Sequence, residues 1–184
     1  MTESLQLIAG SEVRCTDGRV GHVRGLIFDP QARAVTHLSV DASSASQDGR
    51  IVPLSDVQSA GPVIQLGCTR ADYYRFHGNE ALDTPLWPSL GRRAPPLYVH
   101  LVPQGETEIK RNENVHAVDG RAGHLVGVTV DRDSHTVQSI LVRIGHFSAR
   151  HQVSIPFEAV TDIDQELGLH VNLSRDQVSK ANPS

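Results

Sequence analysis

Hydrophobic positions along this chain fall mostly in short alternating runs. Leu26 and Phe28 alternate with their neighbours, and Val128 and Val130 do the same a hundred residues later. Thr36, Leu38 and Val40 form another such run, with Gln138, Ile140 and Val142 as its counterpart. A period of two places every second side chain on one face of a strand, so Leu26, Phe28, Val128 and Val130 are expected to point inward. Asp17-Gly18 and Asp119-Gly120 are hairpin-turn dipeptides, because glycine supplies the positive φ of a tight turn. Gly25 and Gly127 interrupt their strands and predict a bulge or sharp bend. Pro53 and Pro156 cannot donate to a ladder and belong at strand ends. Helices are expected only over residues 69–76 and 174–181, which open on Thr69 and Ser174. Ser174, three residues before Gln177, forms a capping box.

These elements repeat. Residues 17–29 read DGRVGHVRGLIFD and residues 119–131 read DGRAGHLVGVTVD, an offset of 102 without a gap. Asp17, Gly18, Arg19, Gly21, His22, Gly25 and Asp29 meet identical residues at Asp119, Gly120, Arg121, Gly123, His124, Gly127 and Asp131. Val35, Leu38 and Val40 then meet Val137, Ile140 and Val142. One inserted residue later, Pro53 and Val57 meet Pro156 and Val160. The run Val63-Ile64-Gln65-Leu66 resembles His170-Val171-Asn172-Leu173. Each copy spans roughly 65 to 75 residues, within reach of an independent domain and too long for a solenoid repeat. The expectation is an all-β chain of two tandem small barrels, each closed by a short C-terminal helix. The first occupies residues 1–76 and the second 109–184. Between them, residues 77–108 form a linker rich in proline (Pro85, Pro88, Pro95, Pro96, Pro103), whose Trp87, Leu90, Leu97, Tyr98, Val99 and Leu101 are apolar enough to pack on the barrels.

The pattern D-G-x-x-G-x-x-x-G-x-x-x-D, followed by an apolar strand, an isoleucine–proline element and a later valine, resembles the PRC-barrel domain. The second copy carries it most fully, with Gly145-His146 ahead of Val153-Ser154-Ile155-Pro156 and a closing Val171-Asn172-Leu173-Ser174. The resemblance covers most of the chain. Barrels of this family occur in the H subunit of the photosynthetic reaction centre and in the bacterial ribosome maturation factor. What the resemblance implies is a protein-interaction module without catalytic residues. Neither specific role is expected to carry over. No apolar run matches a membrane helix, and a second barrel is expected where the maturation factor has its partner domain.

Composition narrows the function classes. The net charge of −4 weighs against a nucleic-acid or anionic-membrane binder, which needs an excess of Lys and Arg. Two cysteines, Cys15 and Cys68, with no Cys-x-x-Cys pair, predict free thiols rather than a redox or zinc motif. No segment approaches the ~20 apolar residues of a spanning helix, so a cytoplasmic protein is expected. Ten histidines raise the question of metal, but His146 with His151 and His116 with His124 lack cysteine partners, and no metal site or cofactor is predicted. His22 and His124 recur at matched places, where bonding to backbone beside a turn is the simpler reading than sensing pH. Asp29 and Asp131 read as turn caps. No nucleophile elbow, P-loop or dinucleotide fingerprint is present, so an enzyme is not expected. Tyr73, Tyr74, Phe76, Trp87 and Tyr98 hold much of the aromatic surface and would mark a partner site where exposed. The leading expectation is a scaffolding or interaction protein with a protein partner, or a homo-oligomer. A ribosome- or RNA-associated assembly factor and a histidine-based metal or pH sensor are the alternatives.

Overall fold

The computed structural model describes residues 4–42, 49–76, 78, 80–82, 97–99, 102–145, 151–164 and 168–183, and it is all-β apart from short helical turns. The first repeat contributes β1 (Ser4–Ile8), β2 (Glu12–Cys15), β3 (Gly18–Asp29), β4 (Ala34–Ala42), β5 (Arg50–Pro53), β6 (Val57–Ser59), β7 (Val63–Leu66) and α1 (Arg70–Tyr73). Next come β8 (Glu80–Leu82) and β9 (Leu97–Val99), which pair with each other. The second repeat contributes β10 (Thr107–Lys110), β11 (Asn114–Ala117), β12 (Gly120–Asp131), β13 (Val137–Ile144), β14 (His151–Pro156), β15 (Val160–Asp164), β16 (Gly168–Val171), α2 (Arg175–Ser179) and β17 (Asn182–Pro183). One large sheet runs β5-β4-β3-β2-β7-β6 and the other β15-β16-β11-β12-β13-β14-β17. One of them curls into a half-barrel.

The local chemistry is duplicated as closely as the sequence. Asp17 does more than make a turn, because its carboxylate accepts from the Arg70 N–H at 2.7 Å and so caps α1. Asp119 does the same for Arg175 and α2 at 2.8 Å. Thr69 and Ser174 each complete a capping box. Pro53 and Pro156 end β5 and β14 and lead into single 3-10 turns. Asp29 accepts from the N–H groups of Gln31 and Ala32, and Asp131 from those of Asp133 and Ser134, as turn caps. Leu26, Phe28, Val128 and Val130 are all buried. The strands bulge between Val23 and Gly25 and between Leu125 and Gly127, where glycine was expected to bend them.

The repeats exchange strands. β1 pairs antiparallel with β12 of the second repeat, placing Leu5 opposite Val130 and Leu7 opposite Val128. Reciprocally, β10 pairs with β3, placing Ile109 opposite Leu26. The backbone bonds flanking the exchange match too. Ala9 donates to Val126 O at 2.9 Å and Arg111 to Arg24 O at 3.4 Å. The paired glycines have a physical cause here. A Cβ on Gly127 would lie 2.1 Å from Leu7 O, and one on Gly25 would lie 3.0 Å from Ile109 O. Each glycine leaves room for the strand arriving from the other repeat.

The hydrogen-bonded sheets therefore do not follow the sequence division at residues 76 and 109. β1 belongs with the second sheet, and β10 begins at Thr107, inside the stretch read as linker. That stretch is not wholly irregular, since it also holds β8 and β9. One continuous apolar cluster joins residues of both repeats, from Leu5 and Leu7 through Leu38 and Val40 to Ile140, Ile155 and Val178. Burying each such Leu or Ile is worth about 1.5–3 kcal/mol relative to exposure. One detail of the repeat alignment is corrected. Gln65 stands opposite Arg14 as His170 stands opposite His116, so β7 matches residues 168–171, not 170–173. A slip of two residues keeps every side chain on its face, so alternation alone could not detect it.

Candidate functional site

The two repeats meet at their β3–β4 and β12–β13 turns, and the meeting is symmetric. Val35 donates to His135 O at 3.1 Å, and Val137 donates to Arg33 O at 2.9 Å. These pairs interconvert under the 102-residue offset, so a pseudo-twofold axis passes between Ala34 and Thr136, which form an isolated bridge. Arg33 and His135 both take left-handed backbone, with φ of 53° and 58°. That conformation is uncommon outside glycine and turns the chain sharply at the seam.

A groove of about 410 Å³ opens beside this seam. Phe28 and Pro30 come from the first repeat, and Phe157, Glu158 and residues 160–163 from the second. Phe28 packs edge-on against Phe157, with ring centroids 5.5 Å apart. Arg33 lies over the Phe157 ring, its guanidinium carbon 4.9 Å from the centroid. A cation on a ring face is held by the ring quadrupole and keeps its hydrogen-bond donors available. The groove thus combines an aromatic floor, one anchored guanidinium, and the carboxylates of Glu158 and Asp162.

β15 forms one wall, and it ends its sheet. Among the described residues it pairs only with β16. The Ile163 N–H donates to the Asp162 side chain at 2.9 Å. Exposed edges are commonly guarded in this way by charged side chains. The other half is arranged differently. There Arg132 reaches across the seam and donates to Gln58 O in β6 at 2.9 Å. The residue in Arg132's place in the first repeat is Pro30, which has no side-chain donor. Pro30 therefore gives the β15 edge no counterpart of the Arg132 bond to β6.

The expected site residues separate on inspection. Tyr73 is fully buried and belongs to the core, which removes it from the exposed aromatic cluster. Its ring meets Tyr74 and Phe76 edge-on at 5.4 and 6.4 Å, and burial raises its hydroxyl pKa. Tyr74 remains 49% exposed, with Arg50 5.9 Å from its ring. Phe76 is partly buried against the core. Trp87 lies outside the described residues, and Tyr98 is placed only as a backbone position opposite Ala81. Of the three members whose side chains are described, Tyr74 alone is exposed. His124 bonds backbone as expected, to Asn112 O at 3.3 Å, whereas His22 meets the Arg19 side chain at 2.9 Å. Asp131 is held below the usual carboxylate range by the Ser134 N–H and hydroxyl.

Cys15 and Cys68 are free thiols, with sulfurs 3.8 Å apart. Burial, reinforced by Cys68, pushes Cys15 up to about 12. At about pH 8 only roughly one Cys15 in ten thousand is then the reactive thiolate. Cys15 is expected to resist an aromatic disulfide reagent for many minutes in the folded protein and to react at once in concentrated guanidinium. Immediate stoichiometric labelling of Cys15 in the native state would contradict this.

No family model matches the chain, and no curated protein matches it. The sequence reading missed Arg33, Phe157 and Asp162, because the groove joins segments that sit far apart in the chain. The one readable signal was that Pro30 and Arg132, which follow the matched Asp29 and Asp131, differ in side-chain chemistry.

Proposed function

We propose that the chain is a non-enzymatic interaction module built from two PRC-type barrels, and that it takes an extended segment of a partner protein along β15. The observation that carries this reading is a terminal strand, paired among the described residues only with β16, beside an aromatic groove, at the place where Arg132 bonds across the seam in the other half. An extended peptide adds to such an edge through main-chain hydrogen bonds, while pockets along the strand read alternate side chains. Displacing Asp162 from the Ile163 N–H frees the donor that such a strand needs. The chemistry of the groove selects the partner. An apolar side chain fits over Phe28 and Phe157, and a Lys or Arg beside it meets Glu158 and Asp162. The repeat signature resembling the PRC-barrel and the all-β sheets support the family assignment, and the lack of any nucleophile–base motif supports a binding role.

Selection from a library of displayed random peptides tests this reading. Enriched sequences are expected to alternate apolar and basic residues, and to lose at least tenfold in affinity for the Pro30→Arg variant, about 1.4 kcal/mol. That substitution supplies the missing donor and closes the edge, and it changes an exposed turn rather than the core. Failure to enrich any such sequence, or equal binding to the variant, would overturn the reading.

A further inference from the structure

His116 on β11 and His170 on β16 are direct partners in the parallel register that joins these strands. Their rings are stacked, with centroids 5.2 Å apart and planes inclined by 19°. Both are half-buried on the face of the sheet opposite Val115, Leu169 and Val171, which are buried. The sheet thus fixes two imidazoles side by side, with their edges reachable from solvent. Asp162 follows in register beside His170 on β15, and Arg121 stands beside His116 on β12. The Asp162 carboxylate already accepts from the Ile163 N–H, and Arg121 is exposed. Among the described residues no group of three His, Cys, Asp or Glu side chains converges on one point.

The geometry points to a two-histidine site for one borderline divalent transition ion, with water completing its coordination. Neutral imidazole is the preferred side-chain nitrogen ligand for zinc, nickel and copper, and copper(II) binds such sites most tightly. Two imidazoles held on adjacent strands need only small ring rotations to aim a nitrogen each at a shared ion. The strand pairing has already taken up the entropy of bringing them together, so the pair chelates where a lone surface histidine binds weakly. The first repeat cannot form the same site, because the matching positions are Arg14 and Gln65. Hard cations such as magnesium and calcium prefer oxygen donors and are excluded.

Calorimetric titration of the full chain with copper(II) and with zinc(II) tests the assignment. One ion per chain is expected, tighter for copper, with no magnesium binding. His116→Gln and His170→Gln, which keep approximate side-chain size, should each weaken binding at least tenfold. His135→Gln, in the β12–β13 turn, should leave it unchanged. Circular dichroism confirms that each variant is folded. Retained affinity in the His116→Gln/His170→Gln double variant, two equivalent ions per chain, or no binding by the folded parent protein would each overturn the inference.

Discussion

Leu7→Ala is expected to destabilise the protein by about 2–5 kcal/mol and to loosen the second repeat rather than the first. Leu7 lies near the N-terminus and is fully buried, opposite Val128 in β12. Side chains paired across a ladder share a face, so Leu7 fills the core beneath β12 with Ile140 and Ile155, which follow in register on β13 and β14. Truncation removes that transfer energy and leaves a cavity in a core that has little freedom to collapse. Urea unfolding reads the loss, and amide exchange locates it. Exchange should rise across β12 and β13 while β3 and β4 keep more of their protection. Ile109→Ala is the mirror experiment, because Ile109 pairs with Leu26 and should loosen β3. If Leu7→Ala instead raised exchange chiefly in β3, the crossed pairing of the strands would be wrong.

Much of this architecture was legible in the sequence, and the limits have physical causes. The duplicated Asp-Gly turns, the mid-strand glycines, the capping residues and the alternation all act within a few residues, so local pattern reveals them. Asp17 and Asp119 are an intermediate case. Their turns were readable, but their bonds to Arg70 and Arg175 reach 53 and 56 residues along the chain. Strand exchange was not readable. β1 and β10 occupy equivalent positions under the 102-residue offset, and Leu7 or Ile109 would bury equally well against its own repeat or the other. Gly25 and Gly127 signalled that something approaches the strand closely, without saying which chain segment does. The His116–His170 pair was hidden for a different reason. The alignment of the last strands slipped by two residues, which preserves facing but changes neighbours. The groove needed Phe28, Arg33 and Phe157 together, and only the folded seam brings them into contact.

A fragment comprising residues 1–102 is expected to form a homodimer by exchanging β1. It keeps β1 but lacks β12, so Leu5 and Leu7 lose their cover, and it keeps β3 but lacks β10, so that edge lies open. A second copy of the fragment repairs both faults, because β1 occupies the place in its repeat that β10 occupies in the other, with Leu7 matching Ile109. Folding back is the competing outcome. β2 already pairs with residues 18–22 of β3, and β10 pairs with residues 25–28 of the same strand. A straightened β1–β2 segment would therefore reach its own β3 in cis. What opposes straightening is the link between the two strands. Gly10 has φ of 95°, and Asn112, its counterpart before β11, has φ of 63°. Both residue types tolerate left-handed backbone, and extended pairing in cis has no use for it. Short hinges of this kind set which copy a strand joins. Analytical ultracentrifugation should give twice the fragment mass at micromolar concentration, with β-rich dichroism. Gly10→Val penalises the left-handed hinge and should shift the fragment toward a folded monomer. A parent fragment that is already a stable, folded monomer would show that the hinge does not direct the exchange.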